Sequence, residues 1–342
     1  MNMILLVVSF VISVFFTHRF CDPASWLYVL DNPNERSLHT RPMPSSGGLA
    51  ILLAVFSTSL VTGAVNTFSA DMIWISTGVL LVAIIAFIDD RLTIHPAYRL
   101  AVYTAVAVML VHAGFFFPTL ELPGIVLDWP EAVVKLISLL FIIWMINLYN
   151  FMDGMDGFAG GMAVFGFGTF ALLGGMAGHE LFSALNMLVA AAAGGFLVFN
   201  FPPARIFMGD VGSSTLGLLA AAFSLWGTKD GIFSFWIALL VFSPFIVDAT
   251  VTLIRRLLRS EKIWQAHMTH YYQQIVQAGW GHRKTVLLEY FIMLGCGVTA
   301  IWGVRAPEKL QAAMLLGWVI YYFLFFFWVS QFTSKHKKTG TL

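Results

Sequence analysis

Residues 72–91, MIWISTGVLLVAIIAFIDDR, join a long uncharged apolar run to two adjacent aspartates and an arginine. About 17–25 predominantly apolar residues are enough for a helix to cross the hydrocarbon core of a bilayer. The whole chain has this character, because 59% of its 342 residues are hydrophobic and only 11% are charged; soluble domains carry roughly 25% charged residues. The sequence therefore predicts an all-α polytopic membrane protein that forms one membrane domain over residues 1–342.

Apolar runs of this length recur along the whole chain. The first run is followed, not preceded, by its first charged residue, Arg19. A cleaved signal peptide carries its positive charge first, so we expect the first run to be a retained span. Eleven spans are predicted, near residues 3–18, 48–65, 72–89, 98–116, 133–150, 158–177, 184–200, 212–228, 233–254, 286–304 and 311–331.

The basic residues give these spans an orientation. If the N-terminus is outside, fifteen of the 19 Lys and Arg residues lie in or beside the inner connections, and four lie beside the outer ones. Cytoplasmic connections of membrane proteins carry such an excess. The sequence predicts a cytoplasmic C-terminus and inner segments at 19–47, 90–97, 151–157, 201–211, 255–285 and 332–342.

Charge and cysteine content exclude several classes of partner. The net charge is +1 and no block of basic residues is present, so no nucleic-acid partner is expected. Only Cys21 and Cys296 occur, at a membrane edge and inside a predicted span. A disulfide framework or a cysteine metal site is therefore not expected.

Two groups of acids lie at predicted inner edges of the membrane. Asp89 and Asp90 are adjacent carboxylates whose repulsion a cation or a proton would relieve; the alternative is an interfacial stop signal completed by Arg91. Residues 147–161, NLYNFMDGMDGFAGG, repeat a polar side chain every third position. This spacing is typical of one helix face, and a glycine-rich loop is the alternative. The polar positions are Asn147, Asn150, Asp153 and Asp156.

Two further polar segments are predicted at the same edge. Asn200 and the stretch 205–214, RIFMGDVGSS, lie between spans seven and eight. The glycines and serines there suit a helix N-terminus aimed at an anion, and Asp210 as a simple helix cap is the alternative. The last inner loop carries His267 and His270 one helical turn apart, which is typical of a metal, phosphate or proton site but equally of a structural histidine pair.

Two isolated residues leave their role open. Arg41, in the turn before the second span, is a phosphate contact or a positive-inside anchor. Asp248 lies within the ninth predicted span, where a carboxylate is a functional candidate, and pairing with Arg255 or Arg256 is the alternative. Taken together, five distant segments bring polar groups to one predicted face, whereas the outer loops carry no comparable motif.

These segments resemble the polyprenyl-phosphate N-acetylhexosamine-1-phosphate transferases of glycosyltransferase family 4, in the branch that initiates O-antigen and teichoic-acid units. The resemblance runs end to end and follows the family's order. It is carried by SLHTRPMPSSGGLA (37–50), FIDDR (87–91), NLYNFMDGMDGFAGG (147–161), NFPPARIFMGDVGSSTLG (200–217) and RRLLRSEKIWQAHMTHYYQ (255–273).

The resemblance implies a reaction at the cytoplasmic side of the bacterial inner membrane. A UDP-sugar, usually a UDP-N-acetylhexosamine, gives its sugar-1-phosphate to undecaprenyl phosphate and UMP leaves. Mg²⁺ is required, and Mn²⁺ is able to replace it. A homodimer is compatible with the family. A cation suits the chemistry, because the attack of one phosphate on another gathers negative charge.

The resemblance also assigns roles to residues of this chain. Asp89 and Asp90 handle the lipid phosphate, one of them as base or nucleophile, while Asp210 and Asp153 belong to the metal site. The remaining roles are implied as follows: Asn200 and Phe207 hold the uracil; Asn147, Asn150 and Asp156 line the nucleotide region; Arg99, Arg41 and Arg205 assist with phosphate charge; His267 and His270 lie near the sugar and pyrophosphate.

The chain departs from the family pattern in its last and first motifs. The peptidoglycan branch has three consecutive histidines in the last motif, where this chain has AHMTH, so a muramoyl-pentapeptide substrate is not expected. The family's TPTMGG is MPSSGG here and the lysine before it is missing, which leaves Arg41 as its replacement.

Three other functions fit parts of the pattern. An ion-coupled transporter would place its ionisable groups near mid-bilayer, but here they lie at span ends. A CDP-alcohol-type phosphatidyltransferase shares the DGMDG-like stretch but requires an AR pair and later aspartates that are missing. A non-catalytic scaffold would not need the full set of motifs.

Overall fold

The computed structural model describes residues 3–25, 27–33, 38, 41–61, 69–92, 94–262 and 267–338. Ser37, His39 and Thr40 of the first motif, and Arg36 just before it, lie outside this part of the chain. The described helices are α1 (Met3–Phe20), α2 (Gly47–Val61), α3 (Ala70–Leu92), α4 (Pro96–His112), α5 (Glu131–Met152), α6 (Phe158–Met176), α7 (Glu180–Asn200), α8 (Gly209–Lys229), α9 (Phe235–Val241), α10 (Ser243–Leu258), α11 (Tyr271–Ile275), α12 (Gly281–Gly303) and α13 (Glu308–Lys338).

Two short antiparallel hairpins and a π-helical turn complete the described elements. Strands β1 (Leu30–Asp31) and β2 (Met43–Pro44) pair with Leu30 opposite Pro44. Strands β3 (Leu120–Leu122) and β4 (Ile125–Leu127) form the second hairpin. The π-helical turn, Val276–Trp280, joins α11 to α12.

The helices confirm the prediction of an all-α polytopic membrane protein. Among the described residues, 8 helices are long and apolar enough to cross a bilayer, and the bent pair α9–α10 makes up to 9. Helices α2 and α4 are apolar but shorter. Each of the eleven predicted runs overlaps one of these helices, although the run 48–65 extends beyond the described residues of α2.

Helix α8 is the centre of the bundle, and its apolar stretch is entirely buried inside the protein. Its glycines allow neighbouring backbones to approach closely, as small residues do between membrane helices. A Cβ at Gly48 of α2 would overlap the Cα of Gly212, and a Cβ at Gly217 would meet the backbone of α5 at Met145. The position of α8 therefore depends on small side chains at these crossings.

Buried hydroxyl groups connect helices away from α8. Ser13 of α1 donates to the Ala192 carbonyl of α7 at 2.6 Å, and Ser9 donates to Leu188 at 3.2 Å. Both serines are fully buried. Because lipid cannot satisfy polar groups, such bonds hold a membrane helix against its neighbour.

The ninth predicted span is not one straight helix. Helices α9 and α10 meet at an angle of 82°, with Pro244 in the first turn of α10. Ser243 donates to the Leu240 carbonyl at 2.7 Å, and its hydroxyl lies 2.7 Å from that of Tyr322 on α13. Irregular backbone within a membrane has to be satisfied by the protein itself, and these contacts do so.

The stretch 147–161 also differs from the predicted single helix face. Helix α5 ends at Met152, so Asn147 and Asn150 lie on the helix, whereas Asp153 and Asp156 lie in the turn that follows. Gly157 has a φ of 75°, a left-handed conformation that favours glycine. The three-residue spacing thus continues into a glycine-rich turn, and the prediction of one helical stripe was wrong for its second half.

We expect the substitution Gly48→Ala to destabilise the protein by about 1–3 kcal/mol, because the added methyl group has to displace the α8 backbone. Thermal unfolding in detergent would measure the loss. Gly168→Ala is the matched control, since nothing lies within 4 Å of a Cβ at Gly168 on α6 and alanine favours a helix. Equal unfolding temperatures for both variants would contradict the close α2–α8 crossing.

Candidate active site

An arginine bridge connects two helices at one end of the bundle. The Arg99 Nη1 lies 2.5 Å from Asp89 Oδ2 and 2.8 Å from Asp210 Oδ2. All three side chains are largely shielded from solvent. A guanidinium presents its donors in a fixed fork that suits two carboxylates. Arg99 therefore holds the ends of α3 and α8 at one point.

Asn150 of α5 joins the same network. Its amide nitrogen donates to Asp210 Oδ1 and to the Ser213 hydroxyl, both at 2.9 Å. Asp210 thus has one oxygen on Arg99 and the other on Asn150. Asn147, one turn earlier, donates instead to the Ile143 carbonyl of its own helix at 2.8 Å.

Asp90 lies at the N-terminal end of α8. The backbone N–H groups of Asp210 and Val211 donate to its carboxylate, and its Oδ2 is close to Gly209. A helix N-terminus attracts anions through such free N–H groups. The sequence predicted that this helix N-terminus faces an anion. In the structure, a carboxyl group of the protein itself lies there. Asp210 lies in the first turn without capping it, so the alternative of a simple helix cap was wrong.

Asp153 is surrounded by other acids. Burial raises the pKa of its carboxyl group well above the usual value, and the nearby negative charges of Asp210, Asp31, Asp90 and Asp156 raise it further. Asp31 was not among the predicted site residues, because a single acid in the DNPNER stretch carries no pattern of its own. Its strand β1, which pairs with β2 of the first motif, brings it to the site.

The acids outnumber the cations at this position. Arg99 pairs with Asp89 and Asp210, while no ion pair among the described residues joins Asp90 or Asp153 to a cation. A divalent cation would offset this charge, and carboxylate oxygens are the ligands that Mg²⁺ prefers. Within the described residues, no group of three His, Cys, Asp or Glu side chains is arranged to hold a metal alone. Mg²⁺ commonly uses one or two carboxylates, waters and substrate phosphates, so the donors present fit Mg²⁺.

Asp156 and Asn200 hold two loops together beside these acids. Asp156 Oδ2 accepts from the Ala204 N–H at 3.0 Å. The buried Asn200 accepts from the Gly157 N–H and donates to the Ile206 carbonyl, both at 2.9 Å. The amide of Asn200 is therefore engaged by backbone at both ends, and it positions the loops on either side.

A cavity of about 480 Å³ lies next to this pair of loops. It brings together the predicted residues Arg41, Asp156 and Phe207 with two residues that the sequence did not single out, His282 and Arg283. The lining comprises Leu38, Arg41, Met43, Asp156, Pro202, Pro203, Ala204, Phe207, His282 and Arg283. The backbone of Phe207 is held by the first motif, since its N–H donates to the Pro44 carbonyl at 2.7 Å.

The histidine loop is anchored by Asp248. Its Oδ1 lies 3.2 Å from His270 Nδ1 and accepts from the Tyr271 N–H at 3.0 Å, while Oδ2 accepts from the Tyr272 N–H at 3.1 Å. Asp248 and His270 are both buried. Asp248 therefore caps α11 and fixes the His270 ring.

Several alternatives from the sequence are excluded by this arrangement. Arg255 donates to the Thr269 carbonyl at 2.8 Å, and Arg256 pairs with Glu261 at 2.9 Å, so neither residue pairs with Asp248. Arg205 lies over the Phe199 ring at 5.3 Å, away from the carboxylates that Arg99 bridges.

His267 lies beside His270, with ring centroids 4.8 Å apart. Burial, together with the neighbouring His270 and Arg256, lowers the pKa of His267 to about 4. A histidine with this pKa is neutral at physiological pH. His267 is therefore a hydrogen-bonding group under these conditions, and Thr269 already contacts its Nδ1 at 2.9 Å.

The start of α11 packs on the turn that carries Asp153. The Tyr272 hydroxyl donates to the Phe151 carbonyl at 3.4 Å, and Gly154 leaves the space that this ring occupies. The structure thus brings all five sequence segments to one end of the bundle. The opposite end carries β3–β4 and ordinary ion pairs such as Lys229–Asp71.

The sequence of the chain also matches known proteins. Residues 72–228 match the sequence family described as glycosyl transferase family 4. A protein of Bacillus subtilis (strain 168), described as a probable undecaprenyl-phosphate N-acetylglucosaminyl 1-phosphate transferase, is 31% identical over 88% of this chain and 85% of its own length. The chain belongs to glycosyl transferase family 4.

Other members of glycosyl transferase family 4 are similar over most of the chain. A decaprenyl-phosphate N-acetylglucosaminephosphotransferase of Mycolicibacterium smegmatis is 30% identical over 83% of this chain and 77% of its own length. A phospho-N-acetylmuramoyl-pentapeptide-transferase of Shouchella clausii is 28% identical over 76% of this chain and 82% of its own length.

We expect Asp248→Asn to loosen the histidine loop, because an amide offers one acceptor oxygen where the carboxylate uses both. Leaving a buried N–H unsatisfied costs about 1–3 kcal/mol, so the Tyr271 and Tyr272 amides should exchange hydrogen roughly tenfold faster or more. Hydrogen exchange in detergent would measure this. Thr252→Val is the control, since it removes one donor to Asp248 and keeps the cap. Unchanged exchange in Asp248→Asn would show that α11 is held by other contacts.

Proposed function

We propose that this protein transfers an N-acetylhexosamine-1-phosphate from a UDP-sugar to undecaprenyl phosphate and releases UMP. The observation that carries the proposal is a bridged group of carboxylates beside a basic and aromatic cavity, both at one end of a membrane bundle. The relatives, which are described as polyprenyl-phosphate sugar-phosphate transferases, support it. A lipid phosphate at the membrane edge and a water-soluble nucleotide would meet there.

The reaction is a displacement at phosphorus. An oxygen of the lipid phosphate attacks the phosphorus bonded to the sugar, the bond to the bridging oxygen breaks, and UMP departs with that oxygen. In-line phosphoryl transfer depends on positioning and on offsetting negative charge. Arg99 supplies one positive charge at this position.

Asp90 is the better candidate for the base of the pair. Asp89 is engaged with Arg99 and with the Ile94 N–H at 2.9 Å, whereas Asp90 is oriented only by the backbone at the start of α8. We therefore assign to Asp90 the proton that a lipid monophosphate carries when it attacks. Asp89 keeps Arg99 in position.

Asp210 and Asp153 would hold Mg²⁺, or Mn²⁺ with the same oxygen donors. The cation would offset the charge of the diphosphate and of the leaving UMP. Asn150 orients the Asp210 carboxylate for this role, because its amide fixes one of the two oxygens. His270, which is buried, and the neighbouring His267 would face the sugar side of the donor.

The sugar is an N-acetylhexosamine, and the product starts a lipid-linked surface glycan such as O-antigen. AHMTH replaces the histidine triplet of the peptidoglycan branch, and relatives named for N-acetylglucosamine match at 30–31% identity. We further propose eleven spans in the bacterial inner membrane, with the N-terminus outside. The basic residues then lie beside a cytoplasmic site, where nucleotide sugars are available.

Purified protein incubated with undecaprenyl phosphate, Mg²⁺ and a panel of UDP-sugars should release UMP with a UDP-N-acetylhexosamine. The same preparation without lipid phosphate is the control, because hydrolysis of the donor would also give UMP. No lipid-dependent UMP with any UDP-sugar would contradict the proposed reaction.

Asp210→Asn should lower turnover at least about a hundredfold, since loss of a single electrostatic contact in a transition state costs on the order of 10²–10³ in rate. Raising Mg²⁺ over EDTA-treated enzyme should restore the wild type and leave the variant inactive. Asp71→Asn is the control, because this carboxylate lies at the opposite end of the bundle. Wild-type turnover in Asp210→Asn would exclude it as a ligand.

A further inference from the structure

The start of α12 contributes a basic wall to the 480 Å³ cavity. We infer that His282 and Arg283 bind the nucleotide diphosphate of the donor. This inference rests on the proposed function, since it names residues for the donor that the function requires. Neither residue belongs to a motif that carried the family resemblance, and neither is part of the carboxylate group around Arg99.

The contact with Asp156 fixes the direction of the His282 ring. His282 Nδ1 lies 3.0 Å from Asp156 Oδ1 and 3.4 Å from the Asp156 N–H. The second ring nitrogen, Nε2, therefore points away from Asp156. Since His282 lines the cavity, Nε2 is the ring atom that remains for a ligand. A phosphate oxygen accepts a hydrogen bond from Nε2 when that nitrogen carries the ring proton.

Asp156 is itself held in place by the backbone, and it therefore keeps the His282 ring in one position. Its other oxygen accepts from the Ala204 N–H, in the loop between α7 and α8. The same carboxylate thus joins the Asp153 turn, the Ala204 loop and the start of α12. His282 is one-fifth exposed, so it is ordered by the protein and still reachable by a ligand.

The charges of the cavity select an anion. Arg41 and Arg283 supply two positive charges, against the single acid Asp156, and His282 adds a ring nitrogen for a hydrogen bond. Phe207 adds an aromatic ring to the same lining, which suits a flat base. Ligand cavities of about 300–1,000 Å³ are typical for small molecules, and a nucleoside diphosphate combines a base with the negative charge that this lining would attract.

The position of the cavity suits a donor whose far end has to react. Phe207 lies three residues before Asp210 in the same loop and helix start. A ligand with its base beside Phe207 would extend its phosphates toward Asp210 and Arg99. The cavity lining comes from loops and from the first turn of α12, so a lipid chain would have no membrane-spanning surface to follow there.

The test compares substitutions at three neighbouring positions on α12. We expect His282→Ala and Arg283→Ala each to raise the KM for UDP-N-acetylglucosamine tenfold or more, with kcat within about threefold of wild type and the KM for undecaprenyl phosphate unchanged. Lys284→Ala is the matched control, because it removes a positive charge from the next position, which is exposed and does not line the cavity. His282→Gln, which retains a side-chain N–H, should recover part of the lost affinity.

Equilibrium dialysis with UMP and UDP supplies a measurement that does not depend on turnover. Wild type and Lys284→Ala should bind UDP alike, and His282→Ala and Arg283→Ala should bind it at least tenfold more weakly. Thermal unfolding of each variant in detergent should match wild type. Wild-type UDP affinity in both cavity variants would overturn the inference, even if the enzyme transfers sugar phosphate normally. Wild-type protein that binds UDP through these residues but never releases UMP would overturn the proposed function instead.

Discussion

The Arg99 guanidinium lies between carboxylates of α3 and α8, and the arrangement of the site depends on that position. Two carboxylates in partly buried surroundings repel each other and favour their neutral forms. One fixed guanidinium donates to both carboxylates and offsets their repulsion. Because Asn150 binds the free oxygen of Asp210, the bridge also determines where α5 meets α8. Four segments that are distant in sequence thus share one electrostatic centre.

The membrane sets the second constraint. Polar groups inside the bundle have to find partners in the protein, and the structure meets this demand with a few specific bonds. Ser243 donates to the Leu240 carbonyl at the break between α9 and α10, and the Tyr322 hydroxyl contacts the Ser243 hydroxyl. The break turns α10 by 82°, and Asp248 on this helix captures the start of α11. A bend in one span is thereby connected to the placement of the histidines.

Hydrophobic run length was a sufficient guide to the helices. Each described helix that is long and apolar enough to cross a bilayer overlaps a predicted run, because crossing the hydrocarbon core requires a minimum apolar length. It could not show the break in 233–254, since Ser243 and Pro244 interrupt the run without adding charge. Nor could it show where α5 ends, because the three-residue spacing of the acids continues past Met152 into the glycine turn.

The motifs identified most members of the site, but they missed Asp31, His282 and Arg283 and did not reveal the pairings. Asp89, Asp210 and Asn150 were chosen from motifs, and the structure joins them. Asp248 and His270 are 22 residues apart in the sequence. The Asp156 N–H contacts the His282 ring, although the two residues are 126 positions apart. No spacing rule reveals such pairs, because they arise only when loops from different helices meet.

Compounds designed against this site would meet the N-terminal end of α8. The first backbone N–H groups of α8 already donate to Asp90. The positive end of the helix dipole is therefore occupied by a carboxyl group of the protein. A phosphate mimic entering there would compete with Asp90 for these N–H groups and would also rely on guanidinium groups and a cation. Selectivity is then better sought from the aromatic and histidine side of the neighbouring cavity than from the anionic group itself.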